Sequence, residues 1–487
     1  MSLASKLGNR FKAAFGAQIV TVLTGGILTV FLTRMLTPNG YGLLFLSMSI
    51  FGIAQLITES GVHRSAGRYI AEYKESDPGQ IPHILRFSFL LNLTTIIVVV
   101  IGLLLTHHSI AALLGEPDLV PFLLIGSAFI AFSSLFAFGQ LTLQGFEEIK
   151  QSSAVTAIKS GSRLLLVVVI VLLGYEAIGA LTGYVLSMVL AAVASLYLVF
   201  KKGTSLSKAT SIEPGLRRRI AEYTAPLTVT KSSHVIDQRI DTVLVGFFVG
   251  PVGVAYYTLG KQIVQFIETP MSALGFTLSP TFGSQKASGN ADRAARIYEM
   301  ALSNGLLLYL PAAAGLILVA EPAVELIFGT DYSGAVPVVQ VFAIYAVSLS
   351  ITKVTSHGLD YLGRARERAI VRGTTAVLNL GLNLILIPMM GVIGAAITTV
   401  ITFSIYALFN IYIMHIELGL RVEWLLRQLG QAIAVTGVMS LVVFSTAGYI
   451  TGFITLFAVV GFGAAVWGVL AILFGLVDVE KIVNTLS

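Results

Sequence analysis

Runs of about twenty residues without charge recur from one end of the chain to the other, separated by short polar segments. From Ala13 to Leu32, for example, there is no acidic or basic side chain. A segment of that kind satisfies its backbone in an apolar medium by forming a helix, and twenty helical residues cross a hydrocarbon layer of about 30 Å. Only 11% of the 487 residues are charged and 55% are hydrophobic, whereas a soluble domain carries about 25% charge. The chain is therefore read as an all-α integral membrane protein.

The twenty-residue rule predicts about fourteen spans, from 13–35 and 42–60 through to 428–447 and 451–475. Loop charges orient them. Arg64, Arg68, Lys74 and Arg86 lie between the second and third spans, Lys201, Lys202 and Arg217–Arg219 after the sixth, and Arg364, Arg366 and Arg368 after the tenth. The alternate loops, such as His107–Leu119 and Glu321–Ser333, have no Lys or Arg. Basic loops stay cytoplasmic, so both termini are expected inside a multi-pass protein of the cytoplasmic membrane. Lys6, Arg10 and Lys12 precede a first apolar run too long for a signal peptide, which reads as an uncleaved span.

Several functions are excluded. With no cysteine, the chain has no disulfide, thiol nucleophile or thiolate metal site. Scattered basic residues without interleaved aromatics argue against nucleic acid. There is no metal motif, phosphate-cradling glycine loop or nucleophile elbow. No catalytic residue, metal or cofactor is therefore expected, and the loops are too short to hold an enzyme domain.

The two parts of the chain resemble each other at an offset of roughly 215 residues. Pro38 matches Pro251, Leu114–Gly115 matches Phe328–Gly329, Pro121 matches Pro337, and Ile178–Gly179–Ala180 matches Ile393–Gly394–Ala395. Four matches in order argue for a duplicated six-span unit, an arrangement common in transporters. The expected domains are a six-helix lobe over 1–200, a cytoplasmic linker over 201–220, a second lobe over 221–415, and an accessory two-helix hairpin with its tail over 416–487.

Two segments carry a resemblance. The first is Arg34, Leu36, Pro38, Tyr41 and Gly42 at the end of the first span; the second is RIDTVLVGFFVGPVGVAYYTLGKQI over 239–263. With the span count and the repeat, the chain resembles the polysaccharide transporter family of lipid-linked oligosaccharide flippases, within the larger group that includes multidrug exporters and lipid II flippases. The resemblance implies two lobes around a central cavity and translocation of a polyprenyl-phosphate- or diphosphate-linked sugar from the cytoplasmic to the outer leaflet by alternating access. It implies a transporter and not an enzyme. Its partners would be the lipid-linked sugar, the bilayer and glycan-assembly enzymes, with the chain itself a monomer.

Charges within spans are costly and mark function or internal pairing. Lys231, His234, Asp237, Gln238 and Asp241 fall on about a third of the seventh span's circumference, with Arg239 apart from them. Lys261, Gln265 and Glu268 share a face of the eighth span, and Lys353 and His357 are one turn apart in the tenth. In the resembling family a cationic cavity would lower the cost of moving an anionic head group. Arg34, Lys231, Arg239, Lys261 and Lys353 are the candidate phosphate contacts. Asp237, Asp241 and Glu268 balance those cations or carry protons, and His234 and His357 are further coupling candidates. The alternative is a set of ion pairs locking helices together. Lys159, Arg163, Arg372 and Glu59 read as residues snorkelling at the inner interface. The rival functions are a multidrug exporter, which should have an acidic cavity, and a membrane-embedded glycan polymerase or ligase, which the bare outer loops oppose.

Overall fold

A computed structural model describes residues 3–58 and 61–476, and among these there is no strand. Fifteen α-helices follow one another among the described residues. Eleven stretches are long and apolar enough to cross a membrane, and one of them, Ile149–Thr204, contains two helices. The chain is thus a multi-pass helical membrane protein.

The chain divides into two compact units, Met1–Ala255 and Tyr256–Ser487. The first holds α1 (Leu3–Met35), α2 (Pro38–Thr58), α3 (Val62–Ser76), α4 (Ile81–Leu113), α5 (Leu119–Gly145), α6 (Ile149–Ile170), α7 (Glu176–Thr204) and α8 (Leu216–Val249). Within this unit α8 packs on α2, α3 and α4.

The helix α3 lies in a segment that the sequence reading treats as loop. Ala66, Tyr69, Ile70 and Tyr73, spaced on one helical face, are buried, while Arg64, Arg68, Glu72 and Glu75 are exposed. This amphipathic pattern suits a helix lying against the bundle and not across a bilayer. Tyr73 and Ile70 join Leu85, Leu143, Val155, Leu216 and Ile220 in one core at the basic end of the first unit.

The segment between α7 and α8 is clasped to that core. Gln80 Nε2 donates to Ser211 O at 3.1 Å, and Glu213 N donates to Gln80 Oε1 at 3.0 Å. Ala209 N donates to Gly79 O at 2.9 Å. Tyr73 Oη donates to the Glu213 carboxylate and accepts from Arg219 Nη2 at 2.8 Å.

The second unit takes most of α9 (Pro251–Ala287), then α10 (Ala291–Phe328), α11 (Val336–Tyr361), α12 (Ala365–Met390), α13 (Val392–Leu418), α14 (Val422–Ala447) and α15 (Phe453–Leu473). Pro38 and Pro251 each open a helix at the first position, where proline's missing N–H is not needed. The α14–α15 hairpin packs Met439, Val443, Leu456 and Val459 against Val319 of α10. At its base, the fully buried Glu299 of α10 accepts Arg421 N and Arg421 Nη2, each at 2.7 Å.

Backbone geometry recurs at the repeat offset. Gly115 (φ 70°) and Gly329 (φ 112°) both end a helix in the left-handed half of conformational space. Glu147 (φ 62°) stands where the second half has Gly363 (φ 79°), and Glu176 (φ 45°) where it has Gly391 (φ 60°). Among the described residues, these two glutamates are the non-glycine residues with positive φ.

Candidate functional site

In the second unit, a glycine seam draws α9 onto α11. A Cβ at Gly260 would meet the Phe342 ring at 2.8 Å, one at Gly275 would meet Lys353 O at 2.6 Å, and one at Gly283 would meet Tyr361 O at 3.1 Å. This close approach places Lys353 of α11 against Glu268 of α9, with Nζ 3.1 Å from the carboxylate. Both side chains are partly shielded, 30% and 20% exposed. Two candidates from separate spans thus form one ion pair. Lys261, two turns before Glu268, lies 5.5 Å from the Tyr257 ring centroid, and Tyr257 Oη is 3.1 Å from Thr399 Oγ1 on α13. His357 is half-buried one turn beyond Lys353. Beside it, Asp360 pairs with Arg368 at 2.8 Å.

In the first unit, α2 and α8 cross on small residues. A Cβ at Gly42 would overlap the Pro251 carbonyl, so the two motifs that carry the resemblance touch directly. Further along, a Cβ at Gly246 would meet Leu46 Cδ1 at 2.5 Å, and one at Gly52 would meet Arg239 Nε at 3.0 Å. Gly52 therefore makes room for the Arg239 stem, while the residue as a whole stays exposed. Asp241 is buried, 2% exposed, and Arg34 is exposed near the end of α1. The side chains of Lys231, His234 and Asp237 lie outside the described residues, as does Glu59.

Comparison with known proteins places the chain. A family profile described as "Polysaccharide biosynthesis protein" matches residues 11–285. The chain belongs to this family. A second profile, MatE, matches residues 226–385. The chain is 21% identical over 453 residues to the probable low-salt glycan biosynthesis flippase Agl15 of Haloferax volcanii, covering 91% of each chain. It is 24% identical to the probable flippase AglR of the same organism, covering 82% of each. Its fold is similar to that of the lipid II flippase MurJ in an inward closed conformation, with TM-score 0.74 and 16% identity over 96% of this chain and 98% of that one. These likenesses support a transporter and not an enzyme.

This polysaccharide biosynthesis family member holds two further cations that the sequence reading set aside as interfacial. The helix α6 begins at Ile149, several residues before the predicted span, so Lys159 and Arg163 fall in its third and fourth turns. Lys159 Nζ lies 4.8 Å from the Phe136 ring centroid on α5, and the Arg163 guanidinium 5.5 Å from the Tyr184 ring centroid on α7. A cation over an aromatic face gains about 0.5–2 kcal/mol. An ionisable residue at mid-span costs roughly 2.5–3.5 kcal/mol on insertion scales. The ring alone therefore does not offset the cost of placing Arg163 here. The signal that finds these residues is the polar stripe of α6 itself, visible once the helix start is known.

Proposed function

We propose that this protein is a flippase that moves a polyprenyl-phosphate- or diphosphate-linked oligosaccharide from the cytoplasmic to the outer leaflet of the cytoplasmic membrane, by exposing its site to one side at a time. The observation that carries this reading is the placement of Lys353 and Lys261 within the helices of a chain similar along 91% of its length to a probable glycan biosynthesis flippase. Bare hydrocarbon opposes an anionic head group by tens of kcal/mol in Born terms. Fixed guanidinium and ammonium groups lower that barrier, and the lipid tail stays in the bilayer.

In this reading Arg34, Lys231 and Arg239 of the first unit and Lys261 and Lys353 of the second each serve as phosphate contacts. Glu268 holds Lys353 in place between transport events, so an arriving phosphate exchanges one anionic partner for another. Asp241, on the other side of α8 from Arg239, balances the cations or carries a proton in this reading. An inside-negative potential favours outward passage of an uncompensated charge by about 2.3 kcal/mol per 100 mV. Both termini lie in the cytoplasm, where the basic loops are retained.

The MatE match over 226–385 favours a second reading, a multidrug exporter. Sealed vesicles containing the purified chain separate the two. A fluorescent prenyl-diphosphate sugar should cross faster than in empty vesicles, and cationic dyes should not compete. Dye transport without movement of the lipid-linked sugar would overturn the flippase reading.

A further inference from the structure

One helix face in the first unit has a composition that the candidate set above leaves unused. Ser152, Thr156, Lys159 and Arg163 on α6 are spaced at i, i+4, i+7 and i+11, which places them within an arc of about 60°. The apolar residues Ile158, Leu165 and Val169, all well exposed, lie about 130° away round the helix. The polar stripe therefore faces into the unit.

Each member has a partner on a neighbouring helix. Gln144 Nε2 of α5 donates to Ser152 Oγ at 3.3 Å, and Gln140 Nε2 donates to Thr156 Oγ1 at 2.7 Å. One turn further along the same α5 face, Phe136 underlies Lys159. The last step is Arg163 against Tyr184 of α7. Alongside, Thr21 Oγ1 of α1 lies 2.9 Å from Ser160 Oγ. The Glu148–Lys202 pair stands at the basic end of the ladder, just ahead of α6. From Ser152 to Arg163 the ladder climbs about 16 Å, half the thickness of a hydrocarbon core.

The ladder ends on a group with unmet hydrogen-bonding capacity. Arg163 Nε is buried and has no hydrogen-bond partner among the described residues. No described carboxylate lies within ion-pair distance of Arg163, which sits against the Tyr184 ring face. A ring satisfies the guanidinium plane and leaves its edge donors open. Those donors form a rigid fork that fits two oxygens of a phosphate-class oxyanion. A guanidinium offers donors only and does not release its proton, so neither a metal ligand nor a proton relay fits Arg163.

We infer that Arg163, at the end of the α5–α6 polar ladder, is a binding site for a phosphate-class oxyanion within the first unit. The inference rests on the flippase reading and adds a second point of head-group contact to it. The oxyanion is that of a lipid-linked head group or a free phosphate compound.

The test uses the purified full chain in lipid nanodiscs, with farnesyl diphosphate and inorganic diphosphate titrated separately by calorimetry. Wild type should bind farnesyl diphosphate, and Arg163→Gln should weaken that binding about tenfold or more. Arg163→Lys keeps the charge of the stripe while losing the fork, and should weaken it roughly threefold even if the glutamine variant does not accumulate. Inorganic diphosphate binding as tightly as the prenyl form, with the same loss in the variants, assigns the site to free oxyanions. Preference for the prenyl form assigns it to the lipid-linked head group. Variants that fold and bind like wild type overturn the site and leave the flippase reading standing. A wild type that binds neither probe overturns the site, and the vesicle assay with the lipid-linked sugar decides the flippase reading separately.

Discussion

Glu176 and Gly391 occupy equivalent turns of the two halves with nearly the same backbone, φ 45° and ψ −137° against φ 60° and ψ −140°. Glycine adopts that conformation without steric cost, and a residue with a Cβ does not. The turn before α7 is therefore strained where the turn before α13 is relaxed. Glu176→Gly should stabilise the protein by about 1 kcal/mol, and Gly391→Ala should destabilise it by a similar amount. Thermal unfolding in detergent reads both, and a lower melting temperature for Glu176→Gly would contradict the strain argument.

The approach of α2 to Pro251 depends on the absence of a side chain at Gly42. Gly42→Ala should cost about 1–3 kcal/mol through overpacking against a carbonyl that has no room to yield. Gly25→Ala is the matched control. A Cβ at Gly25 meets nothing within 4 Å, and alanine there should be neutral or mildly stabilising. Equal behaviour of the two variants in a melting experiment would show that the α2–α8 contact is not tight.

The Lys353–Glu268 pair is partly shielded, so its loss should fall between the surface and buried limits, about 1–3 kcal/mol for Glu268→Ala. Removing both partners should cost less than removing Glu268 alone, because no uncompensated ammonium is left behind. Transport should respond differently. Flipping in vesicles should fall sharply in Lys353→Ala and in the double variant alike. Recovery of flipping in the double variant would assign Lys353 to helix locking and not to substrate.

The clasp between α3 and the α7–α8 segment should respond to pH. The hydrogen bond from Tyr73 holds the Glu213 carboxyl below its usual range, aided by Arg219. Burial, followed by the Glu213 contact, pushes the Tyr73 hydroxyl up. A depressed carboxylate stabilises the fold above its unfolded pKa and loses that contribution as pH falls through the folded value. Hydrogen exchange of residues 205–215 should therefore quicken on acidification below the ordinary glutamate range. In Glu213→Gln, exchange should already be faster at neutral pH and should lose that acid step. A step of the same size in the variant would place the titrating group elsewhere.

Much of the architecture was legible in the chain. Length and lack of charge made Leu119–Gly145 or Val392–Leu418 a membrane helix whatever their neighbours, because a bilayer leaves the backbone no other way to satisfy itself. The motif glycines pointed to close packing, although their partners could not be read. The helix α3 was missed because its length and charge match those of a loop, and its amphipathic face has meaning only against the core that covers it.

The order of apolar segments and the alternation of basic and bare loops follow from local properties of the amino-acid sequence, since insertion responds to each segment in turn. The pairing of Lys353 with Glu268, the ladder that ends at Arg163 and the contact of Gly42 with Pro251 were decided by tertiary structure alone. A helix sequence specifies which side chains share a face. Which neighbour that face meets, and at what depth, depends on the packing of helices far apart in the chain.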